Sequence, residues 1–253
     1  MTDESDRLLL LQAGAAAMGI PLDDRQIERF VQLRALLLEW NARVNLTAIT
    51  DPAEIETRHF LDSLTCVLPI PPHLWKVPQR VLDIGSGAGF PALPLAIAFP
   101  HWQVTSLDAT GKKINFQREV VAALGLDNVR PVHGRAEELI RQPGERSRYQ
   151  FVTARAVAAL PTLLEYCCPF TYTSCRIVLP KKGDLTEELA AGQRAAAILG
   201  ALLHDPIPVT VPPLDDGRVL VVADQMRRCP LQYPRPAGAP VKHPLGATDS
   251  RKR

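Results

Sequence analysis

A glycine-rich stretch, VLDIGSGAGFP at residues 81–91, holds the residues whose types and spacing are most informative about chemistry. Gly85, Gly87 and Gly89 occupy alternate positions, and glycine permits both a tight turn and a close approach of backbone N–H groups to a ligand. Asp83 precedes the first glycine by two residues. The pattern predicts a loop that binds a polar, nucleotide-like ligand.

The spacing within this loop discriminates between ligands. A dinucleotide-binding fingerprint has the form G-x-G-x-x-G, whereas here the third glycine is Gly89 and the next residue is Phe90. Asp83 has no use beside an anionic pyrophosphate, but a carboxylate suits a cationic, amino-acid-like ligand. The stretch resembles motif I of the class I S-adenosylmethionine (SAM)-dependent methyltransferases, whose cofactor carries a sulfonium, an ammonium and a carboxylate but no phosphate.

The elements around the loop are a predicted strand and a predicted helix. Residues 81–84 are apolar and favour β-structure, and Pro91 suits the first turn of a helix. From residue 80 onward, strand and helix patterns alternate, which is typical of a mostly parallel, doubly wound sheet. Strands are predicted at 81–84, 103–108, 128–133, 151–156, 175–180, 207–212 and 218–224, with helices at 112–125 and 184–200 and a hairpin-like turn before the last strand. The closing hairpin resembles the seven-stranded methyltransferase sheet, so we predict an α/β, Rossmann-like fold of that type with an N-terminal helical extension.

Polar residues follow the second predicted strand at its carboxyl end. Asp108 lies about twenty residues after the glycine loop, where an acid can accept hydrogen bonds from both hydroxyls of a ribose; the alternative is a helix-capping aspartate. Lys112 and Lys113 open the next helix, where two cations oppose the helix dipole. Their position is easier to understand if they face an anion such as RNA phosphate.

Arg155 closes the fourth predicted strand, at the edge where ligands bind in open α/β sheets. A substrate phosphate, a base edge or the SAM carboxylate would each be a suitable partner. The stretch 153–156 lacks the Asn/Asp-Pro-Pro-Tyr motif of exocyclic-amine methylation, and the Cys-Pro pairs at 168–169 and 229–230 reverse the order used in carbon-5 methylation. Covalent catalysis is therefore not expected, whereas an acceptor that is already nucleophilic, such as guanine N7, needs only alignment.

The composition excludes several classes of protein. The chain has 253 residues, 46% of them hydrophobic, and a net charge of +2, so it can bury a core and is not a polycation. Its apolar runs are too short to span a bilayer and no secretory leader is evident, so no membrane association is expected. Five cysteines without a C-x-x-C pair indicate a reducing, cytoplasmic location and no metal site.

The chain divides into three predicted parts: a helical extension (1–70), a SAM-binding domain (71–226) and a basic, proline-rich tail (227–253). In the extension, Asp23 and Gln26 form a predicted capping box, and a second helix starts at Asp51. That second helix carries Arg58, His59 and Asp62 on one face, which either is a solvated, salt-bridged surface or borders the active site. The tail is expected to be extended, and its basic residues are Arg227, Arg228, Arg235, Lys242, Arg251, Lys252 and Arg253.

Six segments together resemble one family. They are NARVNLTAITDP, RHFLDSL, VLDIGSGAGFPALPLAI, SLDATGKK, RAVAAL and YPRPAGAPVKHPL. The chain resembles the RsmG (GidB) family of small-subunit ribosomal RNA methyltransferases from about residue 20 to 246. The resemblance implies SAM-dependent methylation of guanine N7 in the 530 loop of bacterial 16S rRNA. One departure is Ala88, where many relatives have proline.

The resemblance and the motifs together give a set of expected site residues. The expected cofactor-binding residues are Asp83, Gly85, Gly87, Gly89, Phe90, Asp108, Ala109, Thr110, Ala136, Glu137 and Arg155. The expected RNA-binding residues are Arg58, His59, Lys112, Lys113, Lys181, Lys182, Arg235 and Lys242. We expect no catalytic acid or base and no metal; Arg155 is alternatively a substrate-positioning residue.

The expected cofactor is SAM, and the expected partner is 16S rRNA or an assembly intermediate of the small ribosomal subunit, bound by a monomer. Two other classes of protein are compatible with parts of the sequence. An NAD-dependent oxidoreductase is disfavoured by Asp83 and by Phe90 in place of the third glycine of the fingerprint. A non-catalytic RNA-binding assembly factor would retain the basic tail but would not need an intact ligand loop.

Overall fold

The computed structural model describes residues 8–155 and 157–247. Residues 1–7 of the predicted extension, residue 156 of the fourth predicted strand and residues 248–253 of the tail, with Arg251, Lys252 and Arg253, lie outside the described residues. The N-terminal part is helical, as predicted. Its helices are α1 (Leu9–Ala17), α2 (Asp24–Val44), α3 (Pro52–Glu54), a π-helical segment (Ile55–Leu61), α4 (Asp62–Thr65) and α5 (Pro72–Trp75).

The remaining elements alternate between strands and helices. The strands are β1 (Arg80–Ile84), β2 (Gln103–Asp108), β3 (Val129–His133), β4 (Tyr149–Ala154), β5 (Thr171–Lys182), β6 (Ala201–Leu203), β7 (Ile207–Pro208) and β8 (Arg218–Gln225). The helices are α6 (Ala92–Ala98), α7 (Gly111–Leu124), α8 (Ala136–Leu139), α9 (Leu160–Cys167, followed by a 3-10 turn at Cys168–Phe170), α10 (Thr186–Leu199) and α11 (Ala239–Lys242).

All these strands form one sheet of order β3-β2-β1-β4-β5-β8-β6, with β7 also paired to β8. The strands from β3 to β5 are parallel, and β8 runs antiparallel to each of its three neighbours. The strand order reverses between β1 and β4, and this reversal is the place where open α/β sheets bind ligands. The predicted fold class is confirmed.

The last hairpin differs from the prediction. Strand 207–212 was expected beside the final strand, but only the two residues of β7 pair there, and β6 supplies the rest of the edge. Pro208, Pro212 and Pro213 lack the N–H that a strand ladder needs, which explains the short pairing. Gly200 ends α10 in the left-handed region (φ 81°), so the chain turns directly into β6.

The N-terminal helices are fastened to the sheet rather than separate from it. Asp23 and Gln26 form the predicted capping box at α2, with hydrogen bonds of 2.8 and 2.9 Å. The Gln26 amide also donates to the carbonyls of Ile97 and Ala98 at the end of α6. Phe30 and Phe60 from the helices share one buried cluster with Trp102. The division into 1–70, 71–226 and 227–253 remains a prediction.

Two buried clusters cover the two faces of the sheet. The first contains side chains of α1, α2, α6 and the π-helical segment, and the second contains side chains of α9, α10 and the tail residue Cys229. Among the described residues, none of the helices combines the length and the apolar character required to cross a bilayer. The carboxyl edge of the sheet, between these two layers, carries the site described next.

Candidate active site

The glycine loop after β1 has the conformation that its sequence predicts. Gly85, Gly87 and Gly89 all have positive φ (72°, 61° and 90°), which side-chain-bearing residues rarely adopt. The N–H of Gly85 donates to the carbonyl of Leu107 at 2.7 Å, so the loop is held against the end of β2. A Cβ atom on Gly85 would lie 2.3 Å from Cγ2 of Val157. Glycine is therefore required at position 85 both by conformation and by space.

The Asp108 carboxylate connects this loop to the start of α7. Its Oδ2 accepts the Gly87 N–H at 2.8 Å and its Oδ1 accepts the Thr110 N–H at 2.7 Å. Each carboxylate oxygen has a second lone pair, and Asp108 lines the cavity beside the loop. The residue therefore orders the backbone without being the N-cap of α7, which is Thr110, and keeps acceptor capacity for ligand hydroxyls.

A cavity of about 220 Å³ lies at the carboxyl ends of β1 and β2. Five of the expected cofactor residues line it together: Gly85, Asp108, Ala109, Ala136 and Glu137. The other lining residues are not among the expected cofactor-binding residues; they are Ile84, Leu107, Gly134, Arg135, Val157, Ala158, Tyr166 and Val241. Gly134 and Arg135 directly precede Ala136 and can be inferred from the sequence, whereas Tyr166 and Val241 come from distant elements.

The cavity is lined by both polar and apolar groups. Glu137 is buried beside Tyr166, and burial together with this carboxylate raises the pKa of the Tyr166 phenol to about 12. The phenol therefore remains a neutral hydrogen-bond donor at physiological pH. Val157, Ala158 and Val241 supply apolar surface. Such a cavity suits a nucleoside, with acceptors for its hydroxyls and apolar contacts for its base.

Asp83 lies behind the loop rather than in the cavity. Its side chain is fully buried, and Oδ2 accepts the N–H of Ala92 at 3.0 Å, at the start of α6. Oδ1 has no hydrogen-bond partner among the described residues. Burial raises the pKa of this carboxyl to about 7. In this structure Asp83 contacts the start of α6 and does not line the cavity. The expected direct contact between Asp83 and the cofactor remains a prediction.

Phe90 connects the glycine loop to the N-terminal helices. Its ring stacks on the His59 imidazole, with centroids 4.5 Å apart and planes 3° from parallel. The Arg155 guanidinium lies 5.9 Å from the same Phe90 centroid. Burial, with a contribution from Arg155, lowers the pKa of His59 to about 4, and His59 Nε2 is hydrogen-bonded to Thr47 Oγ1. His59 thus borders the glycine loop instead of solvent, whereas Arg58 of the same predicted face is half-exposed.

A second, basic cavity of about 280 Å³ lies beside Arg155. Asp62 is central to it, because Oδ2 contacts Arg155 Nη1 at 2.6 Å and Oδ1 contacts Arg218 Nη1. Lys181 also lines the cavity and is bound to Glu188 and to the carbonyl of Ala158. Lys182, also in the lining, pairs with Asp216 at 3.0 Å.

Arg218 is a component of the basic cavity that the sequence analysis missed. It stands opposite Lys182 in the antiparallel register of β5 and β8. Its guanidinium also forms a two-point contact with Asp216 at 2.7 and 2.8 Å. No local motif marks this position, because its role depends on which strand pairs with β5.

The structure distributes the other expected RNA-binding residues over several surfaces. Lys112 Nζ donates to the carbonyl of Val44, the last residue of α2. Lys113 lies beside the glycine loop, with Nζ 3.9 Å from where a Cβ of Gly87 would be. Arg58 forms a half-exposed ion pair with Glu54, Arg235 contacts the buried Glu165, and Lys242 is exposed on α11. RNA binding by these residues remains a prediction.

The sheet order, the glycine loop at its reversal point and the acid that ends β2 define a SAM-dependent methyltransferase of the class I type. Within that class, the chain belongs to the rRNA small subunit methyltransferase G (GidB) family, whose profile matches residues 26–207. The predicted family is confirmed. The described residues contain no group of three or more His, Cys, Asp or Glu side chains placed to hold a metal ion.

Relatives are similar over nearly their whole length. Ribosomal RNA small subunit methyltransferase G of Deinococcus deserti is 46% identical over 245 residues, which cover 97% of this chain and 98% of that protein. The protein of the same name from Roseiflexus castenholzii is 45% identical, covering 91% and 97%. Among solved structures, a putative O-methyltransferase from Klebsiella pneumoniae has a TM-score of 0.53 at 16% identity, covering 84% of this chain and 94% of that one. At that identity, the likeness concerns the fold alone.

Proposed function

We propose that this chain transfers the methyl group of SAM to N7 of a guanosine in the 530 loop of bacterial 16S rRNA. The observation that carries the proposal is the placement of two cavities on either side of one segment. Arg155, just after β4, lines the basic cavity, while Val157 and Ala158 line the nucleoside-type cavity. A nucleoside cofactor and a phosphate-bearing acceptor would therefore meet across this segment.

The residues of the first cavity fit SAM. Gly85 leaves space that a Cβ would fill, and Asp108 retains lone pairs for the ribose hydroxyls. Ala136 and Glu137, after β3, also line the cavity, and the adenine would lie beside them. When bound, SAM supplies a methyl group already activated by its sulfonium, so the protein must mainly align the acceptor with it.

The basic cavity fits an acceptor that needs no general base. Among its described lining residues the one carboxylate is Asp62, and each of its oxygens already contacts a guanidinium. This carboxylate is thus already engaged by two cationic side chains of the protein. Guanine N7 has a free lone pair and loses no proton on methylation.

The hydrogen bonds of Arg155 use Nη1, so its other N–H groups are directed at no described partner and suit a substrate phosphate or the SAM carboxylate.

The proposal includes the setting in which the protein works. The partner is 16S rRNA, free or in an assembly intermediate of the small subunit, and the protein acts as a cytoplasmic monomer. Light scattering of the purified protein, alone and with RNA, tests this part; a dimer as the active species would refute it.

The chemical proposal is tested with small subunits whose 16S rRNA lacks the modification. We expect one methyl group per RNA, on a single guanosine. Treatment with borohydride and aniline should then cleave the RNA strand at that nucleotide, a reaction specific for N7-methylguanosine. With saturating SAM, the single-turnover rate should be flat across about pH 6 to 9, because no proton must leave first. Arg155→Ala should lower this rate strongly without unfolding the sheet.

Two outcomes would contradict this proposal. The first is a methylated product that resists the cleavage. The second is a rate that rises log-linearly with pH across the same window, which would require a base. Methylation of naked rRNA in preference to subunits would leave the chemistry intact and would decide which partner is bound.

A further inference from the structure

We propose that the C-terminal segment 235–243 is a wall of the cofactor cavity, in which Val241 contacts the bound nucleoside and the Arg235–Glu165 ion pair holds the wall in place. This inference rests on the proposed SAM-binding function. It assigns the segment a role in cofactor binding, whereas its basic residues had been expected to bind RNA.

Val241 is the residue that brings the segment to the cavity. It lines the cavity together with Val157, Ala158 and Tyr166. Its side chain is nonetheless 59% exposed. An apolar side chain at the rim of an open nucleoside cavity gains burial when the cavity is filled, and each buried methylene contributes to affinity. A bound nucleoside would therefore bury part of the Val241 side chain, and Val241 would bury part of the nucleoside.

Arg235 fastens the start of the segment to α9. Its guanidinium contacts the Glu165 carboxylate through Nε–Oε1 at 2.9 Å and Nη2–Oε2 at 2.7 Å, and its backbone N–H donates to Oε1 at 2.8 Å. The Glu165 side chain is completely buried. A buried carboxylate requires such pairing, and the two-point geometry of arginine makes the contact directional.

The same guanidinium also fastens the other end of the segment. Arg235 Nη2 donates to the carbonyl of His243 at 2.7 Å. Between the two ends, Thr162 Oγ1 donates to the carbonyl of Pro240 at 2.9 Å, directly before Val241. The turn of chain that presents Val241 is therefore held at its start, its middle and its end.

Helix α9 is the element that relates these contacts to the cavity. It carries Thr162 and Glu165, which hold the segment, and Tyr166, which lines the cavity. One rigid helix therefore sets the position of both Tyr166 and Val241. Because Arg235 is committed to Glu165, it serves here as a positioning residue for the wall and not as a free cation for RNA.

The first test measures SAM binding to the full chain by calorimetry. Val241→Ser should weaken binding about fivefold, as expected for the loss of a partly buried apolar contact. Leu231→Ser is the matched control, because Leu231 is an apolar tail residue that is 76% exposed and lines no described cavity. It should bind SAM as the wild type does.

The second test addresses the ion pair. Arg235→Ala should weaken SAM binding about tenfold, and Arg235→Lys should recover only part of the loss because an ammonium cannot reproduce the two-point contact. In turnover with saturating RNA, the KM for SAM should rise while kcat at saturating SAM stays unchanged. A purely structural role would lower the amount of active protein, and hence the apparent kcat, instead.

The third test reads out contact at position 241 directly. S-Adenosylhomocysteine, the demethylated product of SAM, should slow the alkylation of the thiol in Val241→Cys. It should not affect the alkylation of the thiol in Leu231→Cys. Mass spectrometry identifies which cysteine is modified. Equal alkylation rates with and without this product in Val241→Cys, or unchanged SAM affinity in Val241→Ser, would overturn the inference even if Arg235→Ala failed to fold. If the wild type itself binds no SAM, the proposed function fails and this inference with it.

Discussion

The two cavities lie side by side at the carboxyl edge of the sheet, but they are built in different ways. On the side of the glycine loop, the cofactor cavity owes its shape to main chain: the loop turns at positive φ, and Asp108 holds it by accepting backbone N–H groups. The basic cavity is made of side chains held by ion pairs around Asp62. Asp62 and Arg218, which touch there, are 156 residues apart in the chain.

This difference separates local from long-range information. A loop whose conformation requires glycine is recorded in one short stretch of sequence, because the backbone angles restrict the residue types allowed. An ion-paired cavity has no single local motif, because its charged residues come from distant parts of the chain and meet only once the strands have paired. The glycine-loop side of the first cavity should therefore fail through changes of backbone shape, and the second cavity through changes of charge.

The largest effect is expected from adding a side chain to the glycine loop. Gly85→Ala places a Cβ 2.3 Å from Cγ2 of Val157 at a φ of 72°, so the loop or its neighbour must move. We expect SAM binding to weaken by about a hundredfold or more, measured by calorimetry.

Gly217→Ala is the matched control for this variant. Gly217 has a similar φ of 75°, but a Cβ there would have no atom within 4 Å. It should lose about 1 kcal/mol of stability from backbone strain alone and keep its SAM affinity. Equal SAM affinity in the two variants would show that the loop does not shape the cofactor site.

A smaller effect is expected from removing one charge from the basic cavity. Asp62→Asn leaves Arg155 and Arg218 without the carboxylate that joins them, and a broken buried pair leaves uncompensated charge. Methyl transfer should fall about thirtyfold while SAM affinity changes less than about twofold. Single-turnover rates and calorimetry on the same preparations separate the two quantities.

Asp216→Asn provides the comparison within the same cavity. Asp216 also contacts Arg218, but its side chain is 32% exposed against 11% for Asp62. Exposed pairs contribute little, so the rate should fall by no more than about threefold. A larger loss in Asp216→Asn than in Asp62→Asn would mean that Asp62 does not organise the cavity.

The same contrast explains what could be predicted from the sequence. The strand, the glycine loop and the acid at the end of β2 lie within thirty residues (residues 80–109), and their local patterns predicted their places in the structure. Asp83 was recognised from the same stretch, but the direction of its side chain was not. The motif gives the position of Asp83 in the chain. Which N–H donates to its carboxylate depends on how α6 packs, and in the structure that donor is the N–H of Ala92.

Features that depend on tertiary contacts were out of reach. Strand β6 begins directly after a helix that the pattern extends to residue 200, and it forms because β8 offers an edge there. Arg235 has the composition of an RNA-binding tail residue, yet a buried glutamate on α9 binds it. A net charge or a spacing carries no information about which buried acid a given arginine will meet.

The smallest expected effect concerns the pH dependence of folding, where two buried groups beside the glycine loop should act in opposite directions. Burial raises the pKa of Asp83, below the glycine loop, to about 7 and lowers that of His59, beside Arg155, to about 4. Between about pH 5 and 6, folded Asp83 holds a proton that the unfolded chain has released, so its contribution to stability falls as the pH rises. Folded His59 lacks a proton that the unfolded chain holds, so its contribution rises over the same range.

A difference of one proton corresponds to at most about 1.4 kcal/mol per pH unit, so in the wild type these two contributions nearly cancel. Removing one of them should make the other measurable.

Relative to the wild type, the free energy of unfolding should rise with pH by about 1 kcal/mol per unit in Asp83→Asn and fall by a similar amount in His59→Gln. Urea unfolding at several pH values between about 5 and 6 measures these slopes, and groups common to all three proteins cancel in the comparison. A slope in Asp83→Asn equal to that of the wild type would mean that the carboxyl below the loop is already ionised in the folded protein, and that the glycine loop is supported by a carboxylate charge and not by a neutral acid.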